Sequence, residues 1–140
     1  SAVDRGRGVQ DGLAKHGLAL PMRASGEDSR EVTQQVVRQF MSAPVQPDAI
    51  FCANDLMALA AMEVVQIEFG KSVPTDIGIV GYDNTPLSAS TLHPLSSVDQ
   101  NLPLMADEAV SMLMEKIAGR PVPVDHVNIT PQLVVRATTR

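Results

Sequence analysis

A parallel β-sheet flanked by helices, an α/β fold, is the architecture this sequence predicts. Two apolar runs point to it first: Ala49 to Ala53 (AIFCA) and Ile77 to Gly81 (IGIVG) are continuously apolar, as strands covered on both faces require. Segments with helical spacing alternate with these runs, and each run opens into polar residues, Asn54-Asp55 after the first and Asp83-Asn84 after the second. Such alternation builds a parallel sheet with right-handed crossovers and helices on its faces.

The elements follow in order. Val9, Leu13 and Ala14 recur at helical spacing and stop at Gly17, a helix terminator. Leu18 to Met22 reads as an edge strand, because Pro21 has no N–H to give to a ladder. Asp28 or Ser29 then caps a helix carrying Val32, Val36, Val37 and Phe40 on one face, with Glu31 positioned for a partial capping box and Pro44 beyond its end. After the first apolar strand, Leu56 to Phe69 is apolar around most of its first two turns, so this helix is either buried on two sides or forms an interface; Gly70 closes it. Beyond the second strand the pattern changes. Ser96 to Asn101 is short and extended, a helix runs from Pro103 to Ala118 and stops at Gly119 and Pro121, and a last strand spans Val127 to Val135.

At 140 residues the chain holds one domain with a real core. A hydrophobic fraction of 44% with 19% charged residues is that of an ordinary globular protein, and no apolar run approaches the roughly 20 residues of a membrane span. Eleven Lys and Arg stand against 16 Asp and Glu, a net charge of −5, which argues against this segment wrapping a phosphate backbone by itself. Cys52 is the single cysteine, so no internal disulfide forms and a reducing cytoplasm fits. The amino terminus lacks the pattern of a signal peptide and opens inside a helical segment, so the natural protein is expected to continue upstream.

Ligands of open parallel sheets bind at the carboxyl ends of the strands, which directs attention to Asn54-Asp55 and Asp83-Asn84. Each pair joins an amide to a carboxylate, offering donors and acceptors to vicinal hydroxyls or an amide edge. Asp55 also reads as the cap of the helix that follows, and Asp83-Asn84-Thr85-Pro86 is also good turn chemistry, so the residues alone leave both readings open. Arg5 falls in the first turn of a helix, the unfavourable end for a cation, and a binding role explains that placement as readily as a solvated surface position does. Gln100 ends a strand where its amide can reach a cleft. Catalysis finds no support: His16, His93 and His126 are scattered, Ser88, Ser90, Ser96 and Ser97 form no nucleophile elbow, and Gly6 to Gly8 forms no phosphate loop. Cys52 reads as a core residue. No enzyme activity, cofactor or metal is expected.

Several spaced motifs resemble those of the lac-repressor and galactose-repressor family of bacterial transcription regulators. VPTDIGIVGYDNTP (Val73 to Pro86) is similar to the segment leading into that family's effector pocket, and AIFCANDLMALAAM (Ala49 to Met62) to its strand, Asn-Asp pair and helix. HPLSSVDQ (His93 to Gln100) resembles its crossover, and PQLVVRATTR (Pro131 to Arg140) its closing strand. Arg5 and Gly8 fall on its arginine and glycine.

The resemblance implies a periplasmic-binding-protein-like module of two α/β subdomains with a cleft between them. Residues 1–99 and 127–140 would form the carboxyl-terminal subdomain, with 100–126 crossing into an amino-terminal subdomain otherwise absent from this sequence. Arg5, Asn54, Asp83 and Gln100 match the effector contacts, with Asn54 bridging Arg5 and Asp83. The implied effector is a small polar metabolite such as a sugar. The platform beneath a sugar is usually aromatic, yet this chain has no Trp, one Tyr and three Phe, and Asp28 falls near where the aromatic is expected. The implied partners are a second copy of the chain, meeting through Leu56, Leu59 and Ala60, and operator DNA through an upstream helix-turn-helix. A periplasmic sugar-binding protein of a transport system shares this fold and is the alternative reading.

Overall fold

A computed structural model describes residues 1–121 and 126–140. It contains helices α1 (Ala2–Lys15), α2 (Arg30–Met41), α3 (Asp55–Glu63) and α4 (Leu102–Ile117), and strands β1 (Ala49–Phe51), β2 (Gly78–Tyr82), β3 (Ser96–Asp99) and β4 (Gln132–Val134). The four strands form one sheet in the order β1-β2-β3-β4. β1, β2 and β3 run parallel, as the apolar runs predict. β4 pairs antiparallel with β3, Val98 opposite Leu133, and spans three residues rather than the expected nine. The chain leaves the sheet for α4 directly after β3 and returns to the same edge.

α3 is the centre of the core. Ala58, Ala60 and Ala61 are fully covered, and the continuation through a π-helical turn at Val64–Glu68 buries Val64 and Val65. Small side chains let the helix lie close to β2, where Ile79 is fully buried, and α2 closes the other side with Val37 and Met41. Covering some 200 Å² of such apolar surface stabilises a fold by about 5 kcal/mol at 25 cal/mol per Å². The polar rim of the α2–α3 contact is ionic: Arg30 pairs with Glu63, which also accepts from Gln34, and Arg38 donates twice to Glu68 at 2.7 Å. Cys52 sits in this core, and burial pushes its thiol up to about 12.

Several expectations change here. Leu18 to Met22 forms no strand; the segment has no regular secondary structure and no ladder partner among the described residues, consistent with the missing N–H of Pro21. Asp55 is not the cap of α3. Asn54 is, accepting from the Met57 amide at 2.8 Å, while Asp55 is the first helical residue. Ser29, not Asp28, caps α2. Ala60, expected at a dimer interface, is covered entirely by its own chain and presents no surface to a partner, whereas Leu56 is 47% exposed and Leu59 half-buried.

The two peripheral helices are loosely held. None of the described residues of α1 or α4 is buried. On α4, Met105, Leu113 and Ile117 are 42%, 56% and 70% exposed. Residues 122–125, within the 100–126 crossover segment, lie outside the described residues.

Candidate functional site

At the carboxyl ends of β2 and β3 the structure brings together Arg5, Asp83 and Gln100. β2 ends at Tyr82, and the next two residues turn with positive φ, 101° at Asp83 and 48° at Asn84. Side chains rarely adopt such backbone, and Asn and Asp tolerate it best, which is the local reason for this residue pair. The turn aims Asp83 at Arg5, Oδ1 lying 3.3 Å from Nη1. Gln100 Nε2 donates to the same oxygen at 2.6 Å, and Arg5 Nη2 reaches Gln100 Oε1 at 3.5 Å. Arg5 Nη1 also donates to the carbonyl of Ala53, two residues past β1, at 2.5 Å, and its guanidinium lies 3.8 Å over the Tyr82 ring. Ion pair, carbonyl and aromatic face together locate the cation.

Burial raises the Asp83 carboxyl above its ordinary value. The Arg5 charge pulls it down, the charges of Asp55 and Asp28 push it further up, and the Gln100 hydrogen bond lowers it. The second oxygen of Asp83 takes no hydrogen bond from the described residues, so it can accept a donor from a bound molecule.

Asn54 departs from the expected bridge between Arg5 and Asp83. Its Oδ1 caps α3, and its Nδ2 donates to Asp28 Oδ1 at 3.0 Å. Asp28 was legible only as a cap or as a missing aromatic; positive φ at both Glu27 and Asp28 turns it toward the site. Tyr82 as the face under Arg5 also went unread, because an aromatic ending an apolar strand reads as core.

Asp55 has a different task. Fully buried, it accepts from the Thr85 amide at 2.7 Å, the Thr85 hydroxyl at 2.9 Å and the Ser97 hydroxyl at 2.5 Å, tying the start of α3 to the loop after β2 and to β3. Beside it, Arg136 donates to Asn84 Oδ1 at 2.6 Å, to the Leu95 carbonyl at 2.6 Å and to the Ser88 hydroxyl at 3.2 Å. The basic residue in LVVRATT was the available signal for Arg136, an isolated cation within a closing strand.

Two cavities adjoin α1. One of about 450 Å³ is lined by Arg5, Tyr82 and Gln100 with Ser1, Asp4, Gly8, Val9 and Phe51. A second of about 470 Å³ lies between α1, the 20–28 segment and the outer edge of β1, lined largely by hydrocarbon from Val3, Val9, Leu20, Met22, Phe40 and Ile50. The first holds the groups that orient a polar ligand, and the second offers mainly apolar walls. The three histidines are exposed in separate segments, and the described residues hold no cluster of three or more metal-ligating side chains.

Comparison with known proteins agrees with this architecture. The periplasmic binding protein-like domain family matches residues 1–139. The HTH-type transcriptional regulator MalR of Streptomyces coelicolor is 42% identical over 91 residues, 65% of this chain and 26% of that protein. The lac repressor dimer bound to operator and the anti-inducer ONPF superposes with a TM-score of 0.81 at 31% identity, covering 91% of this chain and 44% of that one. The CelR–cellobiose complex gives a TM-score of 0.81 at 28% identity, covering 97% and 42%. The chain belongs to the periplasmic binding protein-like domain family, and the relatives it resembles within that family are LacI-type regulators. These relatives are regulators rather than enzymes or transport proteins, and the chain spans less than half the length of each.

Proposed function

We propose that this chain is the ligand-sensing and dimerisation part of a bacterial transcription regulator. The observation that carries the reading is the convergence of Asp83 and Gln100 on Arg5, which lines a cavity together with Gln100, while the second Asp83 oxygen takes no hydrogen bond from the described residues. Such a set suits a small polar metabolite rich in hydroxyl donors, a sugar above all; the CelR structure holds cellobiose. Asn54 completes the set through Asp28. α4 and the 100–126 segment belong to a second subdomain, which supplies the facing wall of the cleft and covers the exposed stripe of α4. The protein acts in the cytoplasm as a homodimer joined through Leu56 and Leu59, and reaches operator DNA through an upstream helix-turn-helix. No described helix is long and apolar enough to cross a membrane. Effector binding favours one degree of cleft closure over another and so shifts the dimer's hold on DNA, which requires different affinities for the two states.

A thermal-shift panel of mono- and disaccharides, cellobiose included, on the full-length protein tests the reading. A saturable shift is expected, followed in calorimetry by a loss of affinity of about tenfold or more for Arg5→Ala and for Asp83→Ala. Unchanged affinity in both variants overturns the assignment.

A further inference from the structure

Two of the four candidate effector residues have neighbours that are themselves joined. Asp83 precedes Asn84, and Gln100 follows Asp99; Asn84 Nδ2 donates to Asp99 Oδ2 at 3.0 Å, one step along from the bond between Gln100 and Asp83. The two loops are thus stitched twice, once through the ligand-facing residues and once behind them. The rear stitch reaches further. Asn84 Oδ1 accepts from Arg136, just beyond β4, and the Asn84 amide donates to the Ser97 hydroxyl at 3.0 Å. The other oxygen of Asp99 holds the Asn101 amide at 2.7 Å, and Asn101 caps α4. The outgoing and returning connections of α4 therefore meet at one amide side chain.

We infer that Asn84 is a positioning residue that sets the geometry of Asp83 and Gln100 and ties the effector site to both connections of α4. The inference rests on the reading of Asp83 and Gln100 as effector residues. A carboxamide suits the post: it must donate to a carboxylate and accept from a guanidinium at once, at a left-handed backbone position that Asn tolerates and β-branched residues avoid. It acts without touching ligand, by fixing the turn that carries Asp83 and the carboxylate that anchors Asn101.

Hydrogen exchange on the full-length protein, free of ligand, reads the clamp directly. The reporter amides are Asp83, which donates to the Val98 carbonyl at 2.9 Å, and Asn101; the controls are Cys52 and Ile79, held in the sheet by the carbonyls of Val80 and Thr138. Asn84→Gly keeps the backbone conformation accessible and removes the side chain, and should speed exchange at Asp83 and Asn101 about tenfold with the controls unchanged. Asn84→Asp should do the same by setting a carboxylate against Asp99. The swap Asn84→Asp with Asp99→Asn restores donor and acceptor with their polarity reversed, keeps the acceptor for Arg136, and should return exchange to the native rate. Native exchange in the single variants, acceleration spread equally over the controls, or failure of the swap to rescue overturns the inference. A sugar panel on the same proteins separates the two readings: the clamp stands if exchange responds while no sugar binds, and the effector reading stands if a sugar binds while exchange does not respond.

Discussion

Gly81 and Asp55 occupy adjoining space so closely that a methyl group on Gly81 would overlap the Asp55 carboxylate, with Leu95 Cδ2 at 3.0 Å and Ala58 Cβ at 3.3 Å hemming it from other sides. The glycine in the middle of β2 is there to admit a buried carboxylate, and that carboxylate ties α3 to the loop carrying Asp83.

Gly81→Ala should therefore lower stability by about 2–3 kcal/mol, since overpacking displaces a group that cannot move without breaking three hydrogen bonds. A urea midpoint within error of the native protein would show that the carboxylate has room to give.

Asp55→Asn should cost a similar amount. The amide has one oxygen where the carboxylate has two, and its NH₂ would face the donors of Thr85 or Ser97, leaving at least one buried donor unpaired at about 1–3 kcal/mol. Chemical denaturation checks this; native stability would mean that water or a rotated hydroxyl replaces the lost acceptor.

Asp83 makes a prediction of opposite sign. Burial raises its carboxyl in the folded chain, against the pull of Arg5. A carboxyl raised on folding holds protons more readily folded than unfolded, so its contribution to stability declines as the pH climbs from the ordinary carboxylate range through the raised folded value. Asp83→Asn should thus be the more stable protein at neutral pH, with the gap closing on acidification while effector affinity is lost. Thermal melts across pH 3–7 measure it, and a gap that widens in acid would reverse the assignment of the cause.

Leu56→Glu should convert the proposed full-length dimer to monomer, because Leu56 is 47% exposed on a helix that is apolar apart from Asp55 and Glu63 at its ends. Light scattering reads the mass directly. An unchanged dimer would move the interface elsewhere.

The exposed stripe of α4 sets the behaviour of the 140-residue chain by itself. Burying its larger side chains amounts to about 5–10 kcal/mol of gross stabilisation, and leaving them in water favours association. The isolated chain should self-associate at high concentration, and Leu113→Gln with Ile117→Gln should reduce that. A strictly monomeric native chain would show that the stripe does not need a partner.

How much of this was legible follows from range. The apolar runs of β1 and β2 and the spacing of α2 and α4 are local patterns, and they fell within a few residues of their predicted ends. β4 was overextended because Val127 to Val135 is apolar enough for a strand, while pairing requires a neighbour that only Ser97 to Asp99 supplies. Asp83 and Gln100 could be named from their positions at strand ends, Arg5 from its place in the first turn of a helix, and all three by resemblance. Their mutual contact across 95 residues of sequence could not be derived from spacing. Asp55 misread as a cap shows the same limit, since a carboxylate at a helix start looks alike whether it binds its own helix or a hydroxyl 42 residues away.

The buried thiol of Cys52 has a practical consequence for following cleft motion. Raised to about 12 and enclosed by the core, it stays protonated and shielded at neutral pH, so these 140 residues meet an alkylating reagent as though they held no sulfhydryl. One cysteine introduced at the exposed Leu92 and another at the exposed Ile117 would accept dyes without competition from the native residue. Energy transfer between them would then report, in ångströms and in real time, how far α4 swings when an effector arrives.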